Sequence, residues 1–407
     1  MLSNILKVLT GNVFSSIATY LSLLYLSFNI SMAYYGDFTK FYYAIGILFV
    51  IFDLGLSSSL IIKYSKINKT FSIKGVINRF KYQYILCFII TSSISLVFFS
   101  YQTTGIILAI AMFGIVNRFT SVKFQISQLW SDSAKVIFSL TLIRASSLVI
   151  FVLLSRYFFN ESVSSNDLEF VVLVATFISI AINIIHSNKK LRDVEVESVN
   201  KIDLKSTSQY IYIGSILAVI CMRVDVFLID YFINSESAGE YARVSIIFFM
   251  FPMLISSINS VLLRYYSSSD SNITEPLNGK LKYIISGCIL FYSLFVFFVS
   301  QIHGLLITYV THEMIVVFLV LSLAYLGSLI SGTYESKIMA NNQKYFMSIK
   351  FVQLISLFFV FSVTYNMYGI VSGSLAFLAS RISGWLLIIN FYVSENENFN
   401  NWLFWKK

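Results

Sequence analysis

Long apolar runs recur along the whole chain and are separated by short polar connections. Each run is roughly 18–25 residues long, enough to cross the ~30 Å hydrocarbon core of a bilayer as a helix. The alternating pattern expected of membrane strands is absent. Charged residues make up only 12% of the 407 positions, about half the share in a typical soluble domain. The sequence therefore predicts an all-α membrane protein.

We expect about twelve transmembrane helices in two bundles of six. The first run is too long for the apolar segment of a signal peptide and lacks a clear cleavage site, so we interpret it as a membrane helix. The predicted domains are residues 1–187, a cytoplasmic, partly helical linker at 188–208, and residues 209–407. The predicted spans are 8–30, 39–62, 82–101, 103–122, 136–157, 169–187, 209–231, 242–263, 283–302, 314–334, 345–365 and 370–392.

Lysine and arginine are distributed unequally between the two sides of these spans. With the N-terminus inside, the inner segments hold 23 cations, Lys350 among them, and the outer segments hold only Lys40, Arg156 and Arg243. Cytoplasmic loops carry such an excess, so we predict that both termini are cytoplasmic. The net charge of +9 is spread over many loops, whereas a nucleic-acid site needs a clustered basic face. We therefore expect no nucleic-acid partner.

Two segments half a chain apart resemble each other. Gly36-Asp37-Phe38 precedes an apolar helix, and Gly239-Glu240-Tyr241 precedes another. Both helices end in a cation, a tyrosine and a serine. The pattern favours a parallel repeat with a transport site between the halves. The alternative is that two unrelated membrane helices share such ends.

Once the cations counted in the inner and outer segments and the charged residues at span ends are set aside, five charged residues remain inside the predicted spans: Arg144, Arg223, Arg381, Asp53 and Asp225. A charge at the bilayer centre costs roughly 2.5–3.5 kcal/mol on insertion scales. Three arginines facing lipid would therefore cost roughly 8–10 kcal/mol. We expect them to face the bundle interior or a wet cavity.

Two interpretations of these arginines stay open. In the first, Arg144, Arg223 and Arg381 hold a phosphate-bearing substrate, because guanidinium presents a planar fork of donors to phosphate oxygens. Arg118, at the inner end of the fourth helix, is then an earlier contact. In the second, Asp53 or Asp225 neutralises one of the arginines in an ion pair between helices. Arg223 and Asp225 are not predicted to pair, because residues two apart on a continuous helix point about 200° apart.

The carboxylates carry a separate hypothesis of ion coupling. Burial favours the neutral form of a carboxyl group, so Asp53 or Asp225 is a candidate to carry a proton, or to help bind sodium, during transport. No cofactor is predicted. The three cysteines show no metal-ligand spacing, so no metal site is expected either.

Several short motifs carry a resemblance to a known family. They are Asn12 in the first helix, Tyr35-Gly36-Asp37-Phe38, Asp53-Leu54-Gly55-Leu56, Arg223-Val224-Asp225 and Gly239-Glu240-Tyr241. In this order the chain resembles Wzx-type O-antigen flippases, the polysaccharide-transporter branch of the MATE-like (MOP) superfamily. The later helices match only in spacing and in one arginine, Arg381.

The resemblance implies a MATE-like fold and transport without covalent catalysis, so no enzyme activity is expected. The implied substrate is an undecaprenyl-pyrophosphate-linked O-antigen repeat unit, moved from the cytoplasmic to the periplasmic leaflet of the bacterial inner membrane by alternating access. The implied partners are membrane lipids, the O-antigen polymerase and the chain-length machinery.

Three other classes of protein compete with this interpretation. A multidrug exporter of the same superfamily favours carboxylates over arginines in its cavity, because its substrates are mostly cationic. An O-antigen polymerase is expected to have a large periplasmic loop, whereas the outer connections here are short. A purely structural membrane protein leaves the buried charges unexplained.

Overall fold

The computed structural model describes residues 2–67, 70–159, 163–191, 196–197, 205–249 and 311–394, with a few isolated positions between 251 and 293. The helices there are α1 (Leu2–Asn29), α2 (Met32–Asp53), α3 (Leu56–Ile67), α4 (Ile73–Arg79), α5 (Lys81–Phe98), α6 (Tyr101–Ile126), α7 (Trp130–Leu154), α8 (Ser165–Lys190), α9 (Lys205–Cys221), α10 (Val224–Phe232), α11 (Ser235–Ser245), α12 (His312–Asn341), α13 (Gln343–Tyr368) and α14 (Val371–Ser394). A π-helical turn (Ser155–Phe159) extends α7, and a 3-10 turn (Ile246–Phe249) extends α11.

Eight helices of the described residues are long and apolar enough to cross a membrane, and a ninth is added if α9 and α10 form one span bent by 49°. This confirms a multi-pass, all-α membrane protein. The number twelve stays a prediction. Apart from four isolated positions, the predicted ninth span at 283–302 lies outside the described residues.

Side-chain caps begin five of the helices that start on the predicted outer side. The hydroxyl or amide oxygen of each cap accepts a backbone N–H from the first turn of its helix, which otherwise lacks an acceptor. These caps are Ser31, Ser100, Ser164, Asn234 and Thr311. These five helix starts are therefore set locally, by the residue type that precedes each helix.

Two predicted spans are broken in the structure. The span at 39–62 is interrupted at Leu54 and Gly55, whose φ angles of 52° and 67° end α2 in left-handed backbone. The span at 209–231 is interrupted at Met222 and Arg223, between α9 and α10. Hydropathy does not register either break, because the flanking residues stay apolar.

The linker predicted at 188–208 also differs from expectation in its middle. It is helical where α8 ends at Lys190 and where α9 begins at Lys205. Between them, strand β2 (Val196–Glu197) pairs in parallel with strand β1 (Thr70–Phe71), which lies in the first inner connection. This short pairing ties the linker to the N-terminal bundle.

Helix α2 lies between the two predicted bundles. It packs on α6 and α8 on one side and on α9, α10 and α11 on the other. Glycines permit the close approach: a Cβ added at Gly46 would lie 3.0 Å from the Arg223 side chain, and one at Gly55 would lie 3.0 Å from Tyr212. The predicted domain boundaries stay a prediction, but α2 is where residues of both halves meet.

Candidate functional site

Arg223 occupies the break between α9 and α10 and reaches across to α2. Its guanidinium carbon lies 4.7 Å from the centre of the Tyr43 ring, and its Nε lies over Gly46, where an added Cβ would be only 3.0 Å away. A cation over an aromatic face is stabilised by the ring quadrupole. The break in the helix therefore places this charge at the seam between the halves, the contact of α2 with α9, α10 and α11.

Asp225, in the first turn of α10, is 5% exposed. Its carboxylate accepts a hydrogen bond of 2.6 Å from the Tyr241 hydroxyl and one of 3.0 Å from the backbone N–H of Val226. The expected separation of about 200° from Arg223 assumed a continuous helix, whereas Arg223 precedes α10 with non-helical backbone. That the two residues do not pair stays a prediction.

Arg381, on α14, is buried with two of its donor groups unpaired among the described residues. It is 6% exposed, and its guanidinium carbon lies 4.4 Å from the centre of the Phe377 ring. Neither Nε nor Nη2 finds a hydrogen-bond acceptor among the described residues. The Phe377 ring also packs against Tyr325 of α12, with 5.0 Å between the ring centroids, and Tyr325 interacts electrostatically with Arg381, Arg223 and Asp225. The structure thus groups two of the predicted arginines around one tyrosine.

Arg144, on α7, lies within the N-terminal bundle and not in this group. Its Nε donates a 2.8 Å hydrogen bond to the Thr176 hydroxyl, and its guanidinium carbon is 5.7 Å from the Phe49 ring of α2. The side chain is 7% exposed, and Nη2 has no acceptor among the described residues. Like Arg381, it is a buried cation with a donor left over.

Arg118 and Asp53 follow the pairing interpretation instead. The Arg118 Nε lies 3.4 Å from an oxygen of Asp53 and donates to the Ser57 hydroxyl at 3.2 Å. Ser57 also hydrogen-bonds Asp53. The Arg118 side chain is 52% exposed, whereas Asp53 is buried. This pair lies at the break between α2 and α3.

A second ion pair was missed by sequence reasoning. Lys350, counted above among the inner-loop cations, lies in α13 and is only 2% exposed. Its Nζ donates to Glu335 of α12 at 2.6 Å and to Gln353 at 3.2 Å. One signal was available in the sequence, because Lys350 falls inside the predicted span 345–365.

Solved structures with the same fold belong to MATE and MOP transporters. An outward-facing multidrug resistance MATE family transporter of the MOP superfamily matches with a TM-score of 0.69 at 10% identity, covering 96% of this chain and 95% of that one. A Vibrio cholerae MATE transporter mutant matches at 0.59, 13% identity and 97% of both chains. A Pyrococcus furiosus MOP transporter, described as having a binding pocket of reverse polarity, matches at 0.68 and 10% identity, covering 98% of this chain and 95% of that one. These likenesses confirm the predicted MATE-like fold.

Sequence comparison supplies the family. No curated protein matches the chain significantly. The family described as "Polysaccharide biosynthesis protein" matches residues 1–269, which include Asn12, the Gly36 and Gly239 motifs, Asp53 and Arg223. The resemblance predicted from these motifs is confirmed. This chain is a multi-pass membrane protein that belongs to the polysaccharide biosynthesis protein family.

Proposed function

We propose that this protein is a flippase that moves undecaprenyl-pyrophosphate-linked O-antigen repeat units from the cytoplasmic to the periplasmic leaflet of the bacterial inner membrane. Both termini are cytoplasmic, and the two halves alternate access to the site between them. Family membership and a fold shared with MOP transporters support the proposal. The O-antigen polymerase and the chain-length machinery are the partners that follow from this substrate.

The observation that carries the proposal is the state of Arg381. A buried guanidinium without a carboxylate is costly, so membrane proteins keep such a group where it is used. Nε and Nη2 of Arg381 have no acceptor among the described residues, and the side chain is 94% buried. A pyrophosphate can accept hydrogen bonds from this fork and neutralise its charge. Arg223, near the same tyrosine, supplies a second contact.

Arg118 and Arg144 act at other points of the passage. The half-exposed guanidinium of Arg118 is the contact made first, and the arriving phosphate takes the place of Asp53 as its partner. Nη2 of Arg144, which has no acceptor in the described part of the chain, binds an anionic group of the substrate. The phosphate groups of the substrate thus pass from one arginine to the next along the path.

Asp225 is the stronger candidate for coupling to a proton or sodium gradient. It is 95% buried, and among the described residues it forms no ion pair within 4.0 Å; its bonds are to Tyr241 and the backbone of Val226. Asp53 is instead neutralised by Arg118. Transport that is unaffected when both gradients are collapsed would remove this part of the proposal.

The alternative is a multidrug exporter, because a matching structure is of a multidrug resistance transporter. Buried arginines disfavour that substrate class, since a cationic drug meets like charge in the cavity. Dye-efflux measurements on the same cells distinguish the two functions.

The experiment compares Arg381→Ala and Arg381→Lys with Arg156→Ala, a matched control. Arg156 is exposed at the outer edge, outside the group around Tyr325. Purified protein is reconstituted with lipid-linked oligosaccharide, and the fraction reaching the other leaflet is measured with an impermeant glycosidase. We expect Arg381→Ala to slow flipping roughly ten- to hundredfold, the equivalent of one or two charged hydrogen bonds.

Arg381→Lys should recover only part of the rate, because an ammonium keeps the charge but loses the fork. Arg156→Ala should flip at the parent rate. Parent-like flipping by Arg381→Ala, with normal amounts of protein in the membrane, would overturn the role of Arg381. No flipping by the parent protein would overturn the proposed function itself.

A further inference from the structure

The outer end of the seam is built from residues spaced 203 positions apart. Ser31 and Asn234 cap α2 and α11. Gly36 and Gly239 face each other, so that a Cβ on either would collide with the opposite backbone. In the contact each helix presents the carbonyl four residues earlier, that of Met32 or Ser235. The two halves therefore close on each other through equivalent positions.

The same spacing relates a cation on each helix. Lys40 of α2 forms a 2.9 Å ion pair with Asp230 at the end of α10. Arg243 of α11, 203 positions later, donates to the backbone carbonyl of Ser27 at the end of α1. Ser27 and Asp230 are again 203 positions apart. Each half thus sends one cation to the other half, and of the two only Lys40 meets a carboxylate there among the described residues.

Lys40 has two carboxylate partners. Its Nζ lies 2.8 Å from Asp37, one turn earlier on the same helix, and 2.9 Å from Asp230 on the other half. If the halves separate, Lys40 keeps Asp37. Asp230 likewise keeps the Ser235 hydroxyl, which donates to it at 2.7 Å. Parting the cross-half pair therefore leaves neither charge without a partner.

We propose that Lys40 is an electrostatic latch for the outer end of the seam, with Asp230 holding it closed and Asp37 receiving it when the seam opens. The latch rests on the proposed function in one respect, namely that a transporter must open at the outer end of the seam. Because Lys40 has a carboxylate partner in both the closed and the open state, the seam can open at low cost. In the closed state the two backbones pack closely at Gly36 and Gly239.

The latch predicts opposite signs for two similar substitutions. Asp230→Asn removes an interaction that exists only in the closed state, so it favours opening. Asp37→Asn leaves Lys40 without a carboxylate in the open state and relieves repulsion from Asp230 in the closed state, so it favours closure. Each variant replaces one of the two carboxylates that contact Lys40, and the two carboxylates lie at nearly the same distance from its Nζ.

Opening is measured with a cysteine at Ser245, which is buried at the seam and hydrogen-bonded to Tyr43. Ser245→Cys is made in a full-length chain whose three native cysteines are replaced by alanine, and intact cells are treated with an impermeant maleimide. We expect Asp230→Asn to raise the labelling rate roughly three- to tenfold and Asp37→Asn to lower it by a similar factor. Asp167→Asn, an outer carboxylate that only caps α8, should leave the rate unchanged.

A charge exchange tests the same pair without net loss of charge. Lys40→Glu alone should raise labelling, and adding Asp230→Lys should bring the rate back toward that of the parent. Shifts of the same sign in Asp37→Asn and Asp230→Asn, equal rates in both, or no recovery by the exchange would overturn the latch. Labelling needs no oligosaccharide, so a failed latch is distinguishable from a failed flippase, which is decided by Arg381 and by reconstituted flipping.

Discussion

The ion pair between Lys350 and Glu335 gives the most quantitative prediction about stability. The Lys350 Nζ is 2.6 Å from the carboxylate, and the side chain is 2% exposed. Two unit charges at that separation attract by about 6 kcal/mol at an effective dielectric constant of about 20. Glu335→Leu removes the attraction and leaves the ammonium with the Gln353 oxygen and the Phe346 ring. We expect unfolding to become easier by about 3–5 kcal/mol.

The double variant Glu335→Leu with Lys350→Met separates the cost of an orphaned charge from the value of the pair. Replacing both partners with apolar side chains also removes both desolvation penalties, so we expect a stability within about 1 kcal/mol of the parent, or above it. The free energy of unfolding is measured by SDS titration in mixed micelles, followed by tryptophan fluorescence. A single variant that costs under about 1 kcal/mol, or a double variant as unstable as the single one, would refute the reasoning.

Two further predictions concern close contacts at the seam. Gly239→Ala puts a methyl group against the Met32 carbonyl. This collision disfavours the closed seam, so we expect faster labelling of the cysteine at position 245. Gly105→Ala, where a Cβ meets nothing within 4 Å, should label at the parent rate, and equal labelling of both variants would contradict the steric argument. Tyr241→Phe removes the hydrogen bond to Asp225, which costs about 1–3 kcal/mol of unfolding free energy because the buried carboxylate keeps its desolvation penalty. Unchanged stability in SDS titration would show that this bond is not made.

The sequence predicted the class of the fold and the residues worth studying, but not how helices are interrupted. Apolar length and composition are enough to place α5, α6, α8 and α14 in a bilayer. They do not distinguish a continuous helix from the breaks at Leu54 and between α9 and α10, because backbone geometry there depends on what packs against it. Arg223 acquired its position at the seam through such a break.

Which charges pair with which was equally beyond sequence reasoning. Composition determined that this chain lies in lipid. The free energy of transferring apolar side chains from water to an apolar environment depends on which side chains are present and not on how they are packed. Tertiary structure decided that Arg118 meets Asp53 and that Lys350 meets Glu335, whereas two donors of Arg381 find no acceptor in the part of the chain that the structure describes. An ion pair requires atoms of different helices to come within about 4 Å, and only the packed arrangement of the helices fixes that distance.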